Sequence, residues 1–320
     1  MNAFIRAYDE EKDLKGVFDL WQSIFSETWP LRQEAFRKVT SGHRFYQPGD
    51  HWVAVEGEKI VGFASTQVAR GKESEEACGG LSALFIDAGR RRQGIGRALH
   101  QAALDHLRQC GMKRALLGGA GIFRFWPGVP GNLPEAKVFF QDMGWEDFSL
   151  CFDLVRTLED YTTPPGILEK MAIQQIDLQP ARIDEIAEVL KFEEAEFPGW
   201  ALEFHLKAEL GAGQDILVAR DARGRVVGTL LMFTPQSPYL AVNMLWQGIL
   251  GEPLGGMGSV GVKESERGRG IGVALVGCAS EILRERGVYA SMIDYTNLDV
   301  FYGKVGYRRW RDYHHCMRDL

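Results

Sequence analysis

The chain contains one segment twice. Residues 91–111 read RRQGIGRALHQAALDHLRQCG and residues 267–287 read RGRGIGVALVGCASEILRERG, 176 positions apart and identical at ten of 21 positions. Solenoid units recur every ~20–50 residues, so a spacing this long means that a whole domain is duplicated. The 320 residues suit two domains of about 100–200 residues each. Any fold that explains one half must explain the other.

The flanking patterns repeat in the same order. Residues 52–55 and 216–219 are short apolar runs. Each is followed by a polar turn and a second run opening Val61-Gly62 or Val227-Gly228, the pattern of a β-hairpin. Residues 84–86 and 260–262 read as strands just before the repeat. Within it, Leu99, Ala103 and Leu107, like Leu275, Ala279 and Leu283, recur every four residues along one helix face, and Gly111 and Gly287 stand where a left-handed cap ends a helix. Residues 115–117 and 290–293 read as the next strands. Each half is therefore expected to be α+β (mixed α/β), a mixed central sheet flanked by helices. Alternating Phe148, Leu150, Phe152 and Leu154 predict a strand closing the first half, and YTTPPG at residues 161–166 predicts the linker, giving domains 1–160 and 167–320. The first half carries about fourteen extra residues near 119–133, an aromatic, Pro/Gly-rich loop that reads equally as a lid or as a packed surface excursion.

In both halves Arg-x-x-Gly-x-Gly falls between a strand and a helix. A helix start has unpaired N–H groups and a partial positive charge. Glycine lets a diphosphate approach the backbone, and arginine adds a fixed cation with several donors. A Walker loop needs Gly-Lys-Ser/Thr at its end, which neither copy has. A dinucleotide fingerprint needs a third small residue where Leu99 and Leu275 stand, so a nucleotide-binding oxidoreductase fits poorly.

The two stretches 84–96 (LFIDAGRRRQGIG) and 260–272 (VGVKESERGRGIG) resemble the acyl-CoA signature of the GNAT superfamily of N-acetyltransferases, and the chain is similar to a tandem GNAT. The resemblance implies an acetyl-CoA-dependent N-acetyltransferase built from two acyl-CoA N-acyltransferase domains. Coenzyme A would lie at Phe85, Ile86, Arg91, Arg92, Gln93, Gly94, Ile95, Gly96 and Arg97 in the first half. In the second it would lie at Val260, Gly261, Val262, Arg267, Gly268, Arg269, Gly270, Ile271, Gly272 and Val273. A backbone N–H near Val262 would hold the oxyanion. The family's tyrosine motif is intact at Tyr302-Gly303-Lys304-Val305-Gly306-Tyr307, which makes Tyr302 the expected proton donor to the departing thiolate and a further coenzyme contact. The first half has Phe140 there. Phenylalanine gives no proton, so that half is read as binding coenzyme A without catalysing, or as having lost binding too.

Asn297 is placed either to bond the pantetheine or to cap a helix, with capping favoured. The general base is not legible. Asp294, at a strand end where the family's strands splay, and Glu193, Glu194 and Glu196 could each act through a water, and each also reads as an ordinary surface carboxylate. His314 and His315 alternate along a strand and make a poor metal pair, and no metal is expected. The acceptor is expected to be an amine of a small molecule or peptide. The competing reading is an acyl-CoA-binding or sensing protein without turnover.

Neither half is basic. Residues 1–160 carry 20 basic and 22 acidic side chains, within a net charge of −6 for the chain, so neither nucleic acid nor an anionic membrane is an expected partner. Residues 241–262 are apolar but interrupted by Asn243, Gln247 and Glu252, too polar for a membrane span. Five cysteines, an odd number with no zinc-type spacing, and an acidic N-terminus without a signal-peptide run point to a cytoplasmic protein; a monomer or a homodimer is expected.

Overall fold

A computed structural model of the chain describes residues 3–68, 77–119, 122–237 and 244–320. The first half runs β1 (Phe4–Ala7), α1 (Glu10–Phe25), α2 (Gln33–Val39), β2 (His51–Glu56), β3 (Lys59–Gln67), β4 (Cys78–Ile86), α3 (Ile95–Gln109), β5 (Arg114–Leu117), β6 (Val129–Pro130), α4 (Pro134–Asp142) and β7 (Glu146–Thr157). The second runs α5 (Ile167–Ile173), β8 (Asp177–Pro180), α6 (Ile186–Glu196), α7 (Ala201–Glu209), β9 (Ile216–Arg220), β10 (Val226–Phe233), α8 (Gln247–Leu250), β11 (Leu254–Val262), α9 (Ile271–Glu285), β12 (Ala290–Thr296), α10 (Asp299–Gly303) and β13 (Arg308–Asp319). No described helix is long and apolar enough to cross a membrane. Asn243 and the two residues before it in the apolar run at 241–262 lie outside the described residues.

Each half is a mixed sheet flanked by helices, and the expected hairpins are β2–β3 and β9–β10. The duplication holds to the residue. β4 and β11, and α3 and α9, begin and end 176 positions apart. So do the parallel ladders, Cys78↔Arg114 to Leu81↔Leu117 and Leu254↔Ala290 to Met257↔Ile293.

The compact units do not part at the YTTPPG linker. One comprises residues 1–151 and 311–320, the other residues 152–310. In the first, the antiparallel run β1-β2-β3-β4 continues through parallel β5 to the last residues of β13, with Met317 opposite Leu116. In the second, the run β8-β9-β10-β11 continues through parallel β12 to the last residues of β7, with Leu154 opposite Ile293. Each sheet is thus completed by a strand from the other half of the chain. Packing explains why the strand at residues 148–154 does not simply close the first half. Phe152 and Leu154 are buried in the second unit's core, whereas Phe148 and Leu150 are exposed. The expected linker is also bound rather than loose. Tyr161 lies in that same core, and the Thr163 N–H donates to Glu281 Oε1 of α9 at 2.7 Å.

The described part of the extra loop, residues 122–133, is a packed excursion rather than an open lid; Ala120 and Gly121 lie outside the described residues. Phe125 and Trp126 are buried and stack on Trp21 of α1 at 4.6 and 5.4 Å between centroids.

The first core also holds a neutral histidine. His100 of α3 is buried and its Nε2 accepts from the Trp145 indole at 2.8 Å, which leaves the ring proton on Nδ1. Burial, reinforced by Arg318 and Arg108, pushes its pKa down from 6.5 to about 4. Between these values the unfolded chain takes up a proton that the folded chain refuses, so this contribution to stability is complete above pH 6.5 and is lost as pH falls to about 4. Thermal melts should show His100→Gln below wild type at pH 7 and the gap narrowing by pH 4.5. A pH-independent gap would remove His100 as a source of acid sensitivity.

Candidate active site

The second unit's site begins where its parallel ladder stops. β11 and β12 are paired only as far as Met257↔Ile293, yet β11 continues to Val262 and β12 to Thr296. Two distortions accompany the parting. Ser259 has φ 50°, at the register shift that sets Leu231 opposite Gly258 and Thr229 opposite Gly261, and Tyr295 has φ 28°. A residue inserted into one strand of a pair bends that strand and increases its twist. From Gly258 onward, the edge of β11 facing β12 has no ladder partner among the described residues. Its backbone groups are the ones able to pair with an extended amide-bearing ligand.

The chain then turns into α9 through Gly268 at φ 78° and Gly270 at φ 92°. Ala274 is the first residue of α9 whose N–H finds a carbonyl one turn back, on Gly270. The N–H groups of Ile271, Gly272 and Val273 therefore precede the intrahelical ladder and can take an anion. A Cβ on Gly268 would meet nothing within 4 Å, whereas one on Gly270 would lie 3.5 Å from Lys170 Nζ. Lys170, an exposed cation on α5, was not singled out by sequence because it lies almost a hundred residues upstream. The arginines divide. Arg267 is exposed and reaches back to the Val262 carbonyl at 3.2 Å, while Arg269 is tied to Glu266 and Gln174. The first unit repeats the turn with Gly94 at φ 86° and Arg92 at φ 61° where the second has Gly268.

Tyr302 lies on α10 with its ring buried against Phe301 and Tyr307. Burial, with the charge of Asp294 next, holds its hydroxyl protonated far above the ordinary range. That hydroxyl makes no hydrogen bond among the described residues. Asp294, half-buried on β12, is thus brought near Tyr302, as the sequence order alone does not require. Asn297 is exposed and does not cap α10, whose N-cap is Leu298 with no side-chain bond; Thr296 Oγ1 accepts the Leu298 N–H instead.

The three glutamates of α6 separate. Glu194 pairs with His205 at 2.8 Å and Glu196 with Lys263 at 3.4 Å. Glu193 is not a surface group: its side chain is fully buried, Oε1 accepts from the Thr229 hydroxyl on β10, and Oε2 has no partner among the described residues. Burial pushes its pKa up to about 7. The helix pattern gave a signal that could have found it. Val189 and Glu193 are one turn apart, so Glu193 continues the apolar face. Nearby, Ser259 donates to Glu203 Oε2 at 2.9 Å, and Trp200, 40% exposed, stacks on Phe197.

The corresponding place in the first unit is filled with rings. Its β3–β4 ladder sets Phe63 opposite Phe85, where the β10–β11 ladder sets Thr229 opposite Gly261. Trp21 of α1 lies on Phe85 at 5.6 Å between centroids, whereas the helix residue meeting the Thr229 pair is Glu193. Beyond Leu81↔Leu117 the end of β5 is closed too, because a Cβ on Gly118 would lie 2.3 Å from the Gly128 nitrogen of the extra loop. His314 and His315 bond Asp147 and Ser149, and among the described residues no group of three or more metal-ligating side chains is placed to hold an ion.

The glycine-turned helix start after a parallel ladder is present in both units, and the strand pair that parts beside it in the second. Residues 14–120 and 186–307 match the family model of the acetyltransferase (GNAT) family, and the chain belongs to that family. It is similar, at 34% identity and a TM-score of 0.92, to the GCN5-related glucosamine N-acetyltransferase region of a fungal multi-domain GH3 β-N-acetylglucosaminidase, over 99% of this chain and 38% of that one. A mycothiol acetyltransferase of Geodermatophilus obscurus is 35% identical over 81 residues, 25% of this chain and 26% of that one. The chain thus spans well under two thirds of either relative. A tandem GNAT protein of the clavulanic acid biosynthesis pathway shares the fold, with a TM-score of 0.67 and 16% identity over 99% of this chain and 98% of that one.

The two tyrosines of the motif differ in what their hydroxyls hold. Tyr307 bonds Ser280 and Ser291, at 3.0 and 2.9 Å. Tyr302→Phe should therefore leave the melting temperature nearly unchanged. Tyr307→Phe, which leaves two buried serine hydroxyls short of a partner, should cost about 1–3 kcal/mol by denaturant titration. Equal losses would mean that Tyr302 is held by a bond this structure lacks.

Proposed function

We propose that the second unit transfers an acetyl group from acetyl-CoA to a primary amine by direct attack, and that the acceptor is an amino sugar of the glucosamine type. The observation that carries the transfer is the edge of β11 that has no ladder partner from Gly258 onward, leading into the N–H groups of Ile271–Val273 that precede the intrahelical ladder. The glycine turn fits a diphosphate, since no side chain stands over Gly268 and the cations of Arg267 and Lys170 flank the loop. Bound there, the coenzyme supplies an activated acetyl thioester. A backbone N–H at or near Val262 then steadies the developing oxyanion, and Tyr302 donates its proton to the departing sulfur. Asp294 lies beside Tyr302, and the exposed Asn297 would meet the pantetheine.

The amino-sugar acceptor rests on the likeness to the fungal glucosamine N-acetyltransferase region. Two features of this chain agree with it: the Glu203–Ser259 pair offers polar groups to sugar hydroxyls, and the half-exposed Trp200 ring offers a flat apolar face. Thiol release from acetyl-CoA should be faster with glucosamine than with peptide amines at equal concentration. Faster release with peptides would replace the acceptor class, and coenzyme binding without release would favour a sensing role.

Tyr302→Phe should lower kcat by about 10²–10⁴-fold with acetyl-CoA affinity nearly unchanged, because the hydroxyl acts on charge present only in the transition state. Wild-type turnover in that variant would take Tyr302 out of the chemistry.

The same reading makes the first unit non-catalytic, its acceptor side occupied by Trp21, Phe63 and Phe85 and its tyrosine replaced by Phe140. Gly270→Val should therefore abolish transfer, through both strain at positive φ and loss of close backbone approach. Gly94→Val should change only stability or the number of coenzyme sites counted by calorimetry. The reverse pattern in folded proteins would assign the chemistry to the other unit.

A further inference from the structure

We propose that Glu193 takes the proton from the acceptor's ammonium group, with Thr229 holding the carboxylate in place and the unbonded Oε2 receiving the proton. The inference rests on the transferase reading above and adds to it the group that makes the amine nucleophilic.

Three observations lead there independently of any titration. Oε2 of Glu193 is a buried polar atom with no partner among the described residues, and an unpaired buried oxygen of this kind is costly and calls for an explanation. The carboxyl sits on Thr229, which is opposite Gly261 in the ladder. It is therefore one residue from Val262, where β11 has parted from β12. Successive residues of a strand face opposite ways, so Gly261 looks toward α6 while Val262 packs toward α9. Finally, the duplication provides an internal control. The unit that has lost its tyrosine carries Trp21, Phe63 and Phe85 at this spot, and the unit that keeps its tyrosine carries Glu193, Thr229 and Gly261.

The surroundings leave the carboxyl free to titrate. On its own helix, Glu194 and Glu196 turn to His205 and Lys263. On α7, Glu203 takes the Ser259 hydroxyl and Lys207 is held by Asp215. Asp294 of β12 acts on Tyr302. None of these charges is among the causes of the Glu193 shift, which are burial, raising it, and the Thr229 hydroxyl, lowering it. The outcome, about 7, leaves a carboxylate population at neutral pH and a conjugate acid that can give its proton up again.

The balance is as follows. The ammonium N–H bond breaks and its proton passes to Oε2, leaving a neutral amine. The amine attacks the thioester carbonyl, forming a C–N bond, and the C–S bond breaks as the oxyanion collapses. The sulfur takes the Tyr302 proton, and the amide nitrogen's second proton restores the tyrosine. Glu193 returns its proton to solvent when the products leave. The amine must reach Oε2 past Phe197, which lies over Gly261 with ring atoms 2.5–2.9 Å from where a Cβ would stand.

The test compares the pH dependence of kcat/KM for wild type, Glu193→Gln and Thr229→Val, with glucosamine and acetyl-CoA, beside coenzyme affinity by calorimetry. The free amine titrates identically in all three assays, so a displaced limb belongs to the protein. Glu193→Gln should lower kcat/KM by about 10²–10⁴-fold and keep only the acidic limb of the amine itself, with coenzyme affinity unchanged. Thr229→Val removes the bond that lowers the carboxyl's pKa, so its acidic limb should move to higher pH. This second variant decides the matter if Glu193→Gln does not fold. Near-wild-type rates with one common limb would overturn the role of Glu193 while leaving the transferase reading intact. No thiol release by wild type with any amine would overturn that reading and this inference together.

Discussion

Everything at the site depends on a parallel ladder that ends early. Met257 and Ile293 are the last paired residues, yet both strands run on, which leaves the β12-facing edge of β11 without a ladder partner from Gly258 onward. A Ser259 bulge and a positive φ at Tyr295 accompany the parting. The glycine turn then delivers α9 with its first N–H groups pointing away from the ladder. Without the gap, the free helix start would be an ordinary surface feature.

Duplication makes the asymmetry between the units informative. The backbone devices are kept in both: the early ladder end, the bulge region, and a left-handed glycine before the helix. The side chains over the gap are not. The first unit fills the space with an aromatic cluster that its extra loop completes through Phe125 and Trp126, gaining buried apolar area. The second buries a carboxyl and a hydroxyl, Glu193 and Thr229, beside the Phe197 ring that lies over Gly261, at a cost in stability. The two units thus differ in side chains where their backbones agree.

Much of this was legible in the sequence because the duplicated segment is local. Strand, glycine turn and helix follow one another within about thirty residues, and the periodicity of Leu275, Ala279 and Leu283 marks the buried face of α9. Tyr302 was singled out only through the resemblance to the family's tyrosine motif, and the structure places it beside Asp294. What the sequence did not disclose depends on tertiary placement. Phe148 to Leu154 alternate as a strand should, but nothing local says that Phe152 and Leu154 bury in the second unit. Glu193 stands among Glu194 and Glu196, and only the packing of α6 on β10 separates one buried carboxyl from two solvated ones. Lys170 joins the glycine loop through the docking of α5, a long-range contact with no sequence mark, and Asn297 was displaced from its expected cap by a backbone turn at Thr296.

The most direct measurement is a crystal structure of the protein with acetyl-CoA. The account predicts the diphosphate on the N–H groups of Ile271–Val273 and the thioester carbonyl in the gap beyond Met257 and Ile293, with its sulfur within hydrogen-bond reach of Tyr302. A thioester seated instead beyond Leu81 and Leu117, with Phe125 and Trp126 displaced, would contradict it.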